Sequence, residues 1–97
     1  MAEKLDTEKL AQALSGLEGW ILDKSRPAIH KSFKFKNFNE CWSFMTQIAL
    51  LAEEMDHHPE WLNVYNRVDI TLTTHDADGI TELDIKMASA IERYSKA

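Results

Sequence analysis

The sequence predicts an α+β domain: a four-stranded antiparallel sheet with helices packed on one face. Three observations carry this. Along the 97 residues the patterns run helix, two strands, helix, two strands, helix, an order suited to helices gathered on one side of an antiparallel sheet. Apolar residues recur at threes and fours through residues 38–55, the spacing of a helix face. Apolar and polar residues alternate from 67 to 75, the spacing of a strand with one buried side. A chain of this length makes one domain, 1–97.

The first helix is expected over residues 6–17. Asp6 is placed to cap it, Leu5 and Leu10 to staple its start, and Leu10, Leu14 and Leu17 to form its stripe. Gly16 and Gly19 mark its end. A hairpin follows over 20–36, with Trp20-Ile21-Leu22 as a short first strand, D-K-S-R-P as turn chemistry, and Pro27 ahead of the second strand. In that second strand Ile29, Phe33 and Phe35 share one parity, Lys31 interrupts it, and His30 belongs to the wet side.

The central helix is predicted at 38–55, opened by Asn37 and Glu40 in a capping-box arrangement. Its apolar face is wide: Phe38, Cys41, Met45, Ile48, Ala52 and Met55, broadened by Trp42, Phe44, Ala49 and Leu51. So broad a face fits contact with the sheet on one side and another subunit on the other. Pro59 holds the residue before it extended, which ends the helix near His57. Strands are expected at 62–65 and 68–74, joined through Y-N-R as a tight turn or a bulge, and H-D-A-D-G at 75–79 is a loop. The last helix spans about 82–94, with Thr81 and Asp84 as a capping box and Ile80 and Ile85 as a staple.

Composition excludes several classes of function. The apolar fraction is 44%, charged residues make up 28%, and net charge is −5. That balance is ordinary for a folded domain and opposite in sign to a broad nucleic-acid footprint, although His30, Lys31, Lys34 and Lys36 cluster in sequence. One cysteine, Cys41, allows neither an intrachain disulfide nor a cysteine-rich zinc site, and it reads as a small core residue. The three glycines form no phosphate-cradling loop. M-A-E-K-L-D lacks the apolar core of a secretory signal, and I-A-L-L-A is too short to span a membrane. The expectation is a cytosolic protein.

Chemistry collects in M-D-H-H-P-E-W, residues 55–61. Three readings fit His57, His58, His75 and Asp84. Helix-end histidines and a capping acid would serve structure alone. Three imidazoles and a carboxylate would suit zinc, though adjacent ligands diverge and the helical H-E-x-x-H spacing is absent. Imidazoles with nearby carboxylates would also serve general acid–base catalysis near neutral pH, with Trp61 and Tyr65 offering flat faces to a flat ligand.

The run E-E-M-D-H-H-P-E-W-L-N-V-Y-N-R-V-D-I-T-L-T-T-H, residues 53–75, resembles the pterin-4a-carbinolamine dehydratase family. The flanking F-N-E-C-W-S-F-M-T-Q-I-A-L-L-A-E and D-A-D-G-I-T-E-L-D-I-K-M-A-S-A-I-E extend the similarity. The resemblance implies a hydro-lyase that dehydrates 4a-hydroxytetrahydropterin to quinonoid dihydropterin and water, in tetrahydrobiopterin recycling. It implies a pterin as substrate, with no metal and no bound cofactor. It places catalysis on His57, His58 and His75, and substrate binding on Glu54, Trp61, Thr74 and Asp84. It further implies a homodimer or homotetramer. The alternative role is that of a dimerisation cofactor for a homeodomain transcription factor, acting in the nucleus as well as the cytoplasm and without direct nucleic-acid contact. Leu83 stands where animal members often carry arginine.

Overall fold

The computed structural model describes residues 2–96. In chain order it contains α1 (Thr7–Ser15), β1 (Ile21–Leu22), β2 (Ile29–Lys34), α2 (Phe38–Met55), β3 (Glu60–Val64), β4 (Arg67–Leu72), a 3-10 turn (His75–Ala77) and α3 (Glu82–Ser95). The four strands form one antiparallel sheet in the order β1-β2-β4-β3. The predicted fold class is the one observed.

Strand alternation decides what the sheet buries. Ile29 and Phe33 of β2 and Val68, Ile70 and Leu72 of β4 face the core. There they meet Cys41, Phe44, Met45, Ile48 and Ala52 of α2, and Met87, Ala88 and Ile91 of α3. Phe33 and Phe35 pack on Phe44 with ring centroids 5.1 and 4.7 Å apart. α1 buries none of its residues fully. Leu10 and Leu14 lean on the core, and Leu5 N donates to Ile80 O at 2.8 Å.

The helix starts follow their sequence signals. Asp6 accepts from Lys9 N and Asn37 from Glu40 N, each covering an N–H that lacks a partner inside the helix. Glu40 reaches back one residue further than a capping box requires, accepting from Lys36 N at 3.3 Å. At α3 the reciprocal bonds of the Thr81–Asp84 box are both present.

Three expectations need correction, and one open alternative is decided. β3 begins at Glu60, two residues early, because Glu60 pairs with Thr71, and β4 ends at Leu72, where it pairs with Ile29 of β2. Tyr65 and Asn66 form the tight turn between them, with Tyr65 at φ +50°. Trp20 lies outside β1 and is buried, its Nε1–H donating to Glu92 Oε1 at 2.9 Å. The basic cluster of 30–36 is divided by the pleat: Lys31 turns to the helical side, away from His30 and Lys34. Its ammonium donates to Glu92 Oε1 (2.5 Å) and Glu18 O (2.8 Å) and sits 4.9 Å from the Phe33 ring centroid. Gly19, at φ +83°, leaves room for it: a Cβ there would lie 2.9 Å from Lys31 Cε.

Candidate active site

The end of α2 positions the first two histidines. Asp56 takes the left-handed conformation (φ 51°, ψ 47°), which a short polar side chain tolerates. His57 N then donates back to Ala52 O at 3.0 Å, closing the helix in the Schellman manner. Pro59 keeps His58 extended, and β3 begins immediately after it. This bend drives the neighbouring imidazoles apart. The His57 side chain is 9% exposed and the His58 side chain 55%.

His57 enters a buried network. Its Nε2–H donates to Asp84 Oδ1 at 2.6 Å. Asp84, wholly inaccessible, accepts on Oδ2 from Thr74 Oγ1–H (2.8 Å) and from Thr81 N–H (2.9 Å). The Thr81 hydroxyl donates to Thr74 Oγ1 at 2.8 Å and accepts from Leu83 N at 3.2 Å. One carboxylate thus caps α3 and orients an imidazole.

His58 and His75 are backed from the surface. His58 Nε2–H donates to Glu53 Oε2 at 2.5 Å, and His75 Nε2–H donates to Glu60 Oε2 at 3.1 Å. Arg26 grips Glu60 through two bonds of 2.7 Å. These bonds, with a lesser contribution from His75, hold the Glu60 carboxyl down at about 2. A carboxylate only accepts hydrogen bonds, so each ring carries its hydrogen on Nε2 when neutral. Nδ1 is then the lone pair that each imidazole offers.

The three rings line one open cleft of about 380 Å³, with Glu60, Thr74 and Leu83 also in its wall. Its volume lies within the roughly 300–1,000 Å³ of small-molecule sites. Leu83 gives an apolar wall. Asp84 stands behind His57 rather than in the cleft surface.

Other expected site residues fall elsewhere. Glu54 is exposed and outside the cleft, because the turn at Asp56 swings His58 back over Glu53 instead. Trp61 pairs with Ile70 on the helical face of the sheet and borders α2 beside Trp42 and Met45. The step from Glu60 to Trp61 turns the indole away from the histidines. Thr74 is at the cleft, but its hydroxyl is engaged with Asp84 and Thr81. His75 opens the 3-10 turn rather than closing β4. Sequence reasoning missed Glu53, Glu60, Arg26 and Thr81. Two of them carried a readable signal: Glu60 as the acid of H-H-P-E-W one strand position before Trp61, and Thr81 as the capping-box partner of Asp84. Cys41 is buried, and desolvation pushes its thiol up, away from nucleophilic use. Among the described residues no three His, Cys, Asp or Glu side chains converge as a metal-binding set.

The model of the pterin 4 alpha carbinolamine dehydratase family matches residues 3–94. The chain belongs to that family. A Sinorhizobium fredii protein provisionally named pterin-4-alpha-carbinolamine dehydratase is 56% identical over 91 residues, covering 94% of this chain and 87% of its own. A Rhizobium meliloti protein of the same provisional name is 54% identical over 94 residues, covering 97% and 90%. The crystal structure of a transcriptional coactivator/pterin dehydratase from Brucella melitensis superposes with TM-score 0.94 at 50% identity, over 96% of this chain and 99% of that one. A pterin dehydratase-like RuBisCO assembly factor of the alpha-carboxysome shares the fold, with TM-score 0.71 and 22% identity over 82% and 93%.

Proposed function

We propose that this chain dehydrates a 4a-hydroxytetrahydropterin to quinonoid dihydropterin and water by histidine acid–base catalysis. One observation carries the reading beyond family membership: three imidazoles, two from the end of α2 and one from the segment after β4, line a single cleft, each backed by a carboxylate. The reaction breaks C4a–O, releases water, removes the N5 proton and forms C4a=N5. One proton is delivered and one is taken, so a set of imidazoles suffices.

The two kinds of imidazole suit the two transfers. His58, exposed beside Glu53, delivers a proton to the departing hydroxyl. His57, fixed by Asp84, presents Nδ1 to the N5 proton, and the buried carboxylate stabilises the imidazolium that forms, as in a catalytic triad. His75 is the second base or hydrogen-bond partner.

Stopped-flow dehydration of enzymatically generated 4a-hydroxytetrahydropterin tests this. The native chain should accelerate the reaction, and combined His58→Ala and His75→Ala should abolish most of the acceleration. A double variant at the native rate would refute the assignment.

Self-association is the second proposal, with a homodimer or homotetramer as the expected form. Phe38, Trp42 and Leu50 on α2 are 46–69% exposed, as are Leu62 and Val64 on edge strand β3 at 59% and 52%, and apolar surface of this kind marks contact sites. Light scattering showing only monomer would overturn it. The α2 face is also the surface we assign to a homeodomain transcription factor partner. A pull-down with that factor's dimerisation segment should lose binding on Trp42→Glu.

A further inference from the structure

Arg26 lies on the β1–β2 loop, outside the histidine cleft, yet two independent ties join that loop to the cleft. The first is the fork of Arg26 onto both oxygens of Glu60 at 2.7 Å. The second runs from Thr73 Oγ1–H to the Pro27 carbonyl at 2.8 Å, two residues before His75. The loop is braced locally as well. Asp23 accepts from Ser25 N and Ser25 Oγ at 2.8 Å, and Asp23 N donates to Ala28 O at 2.8 Å.

His75 needs such bracing. Its side chain is 72% exposed, so packing does not fix its rotamer. Among the described residues Glu60 is the side chain that its ring contacts by hydrogen bond. Glu60 is itself 39% exposed and would sample several rotamers if left alone. A planar guanidinium meeting a carboxylate through two parallel bonds fixes the carboxylate plane as well as its position, which an ammonium does not.

We propose that Arg26 is a positioning residue of the active cleft: by gripping both oxygens of Glu60 it aims Oε2 at His75 Nε2 and so sets the tautomer and direction of that imidazole. This rests on His75 serving the dehydration, as proposed above. The chain Arg26–Glu60–His75 does at the surface what Thr74, Thr81 and Asp84 do for His57 in the interior. It draws its members from the β1–β2 loop, β3 and the segment after β4. The loop that joins the first two strands is thereby part of the catalytic apparatus.

The experiment uses the full chain with Arg26→Gln, Arg26→Lys and His75→Ala. Arg26→Gln should lower kcat on the order of tenfold, as loss of a group that holds catalytic geometry does, with KM changed by less than about twofold. Arg26→Lys should fall between the two. In a His75→Ala background Arg26→Gln should add nothing further. An equal loss with and without His75 would overturn the proposal. A readout independent of activity is the ¹⁵N–¹H spectrum of the His75 ring. It should show the Nε2–H tautomer in the native chain and a mixture in Arg26→Gln. An unchanged His75 signal in Arg26→Gln overturns the proposal. A changed signal in a chain without dehydratase activity would uphold the positioning and refute the reaction instead.

Discussion

His57 and His58 share a peptide bond but occupy opposite environments. His57 is bonded to a carboxylate with no solvent access, itself held by a threonine hydroxyl and a backbone amide. His58 is more than half exposed, and its partner Glu53 is 79% exposed. The left-handed turn at Asp56 and the extended geometry before Pro59 create this difference within two residues. The contrast separates two ways of equipping an imidazole. In the interior the bonds that orient the imidazole also hold the start of α3, so neither can be lost alone. At the surface the pair contributes little to stability, so the imidazole can be altered without disturbing the fold.

Breaking the interior pair should have the largest effect. Asp84→Ala strands a buried imidazole and removes the acceptor of Thr74 and Thr81. Unfolding free energy should fall by about 3–5 kcal/mol, measured by urea denaturation, together with the dehydration rate. Next comes His58→Ala, which should lower kcat roughly 10²- to 10⁴-fold and change stability by no more than roughly 0.5 kcal/mol. A stability loss matching that of Asp84→Ala would erase the contrast.

The smallest effect concerns acid. Folded Glu60 is held at about 2 against an ordinary 4.5. A carboxyl depressed by folding stabilises the chain above its unfolded value and ceases to as pH falls through its folded value. The difference in urea midpoint between the native chain and Glu60→Gln should therefore persist above about pH 4.5, narrow below it and close near pH 2. A gap that stays constant into acid would show that Arg26 and His75 do not hold this carboxyl.

The sequence made the sheet and the three helices legible because their signals are local: the capping residues, the helical spacing of α2 and the alternation of β4. His57, His58, His75 and Asp84 stood out in the sequence as polar groups at element ends, and the family resemblance joined them into one expected site. The carboxylate partners were not legible, because they depend on contacts made in three dimensions. Glu54 has the better helical spacing to His57, yet Glu53 meets His58 because Asp56 leaves helical geometry. Trp61 stands beside Glu60 in the chain and on the opposite face of the sheet. Arg26 and Glu60 are separated by 34 positions, and no pattern read along the chain connects them.

Lys31 bears on how the molecule comes apart. Its ammonium and the Trp20 indole share one oxygen of Glu92, 61 and 72 positions along the chain, and the same ammonium holds Glu18 O. The linker after α1 and the C-terminal turns of α3 are therefore clasped across β2. Chain ends ordinarily fray independently, each exchanging its amide hydrogens at its own low cost. Here the amides of the linker after α1 and of the last turns of α3 should exchange as one unit, because a lysine that interrupts an apolar strand links the two segments.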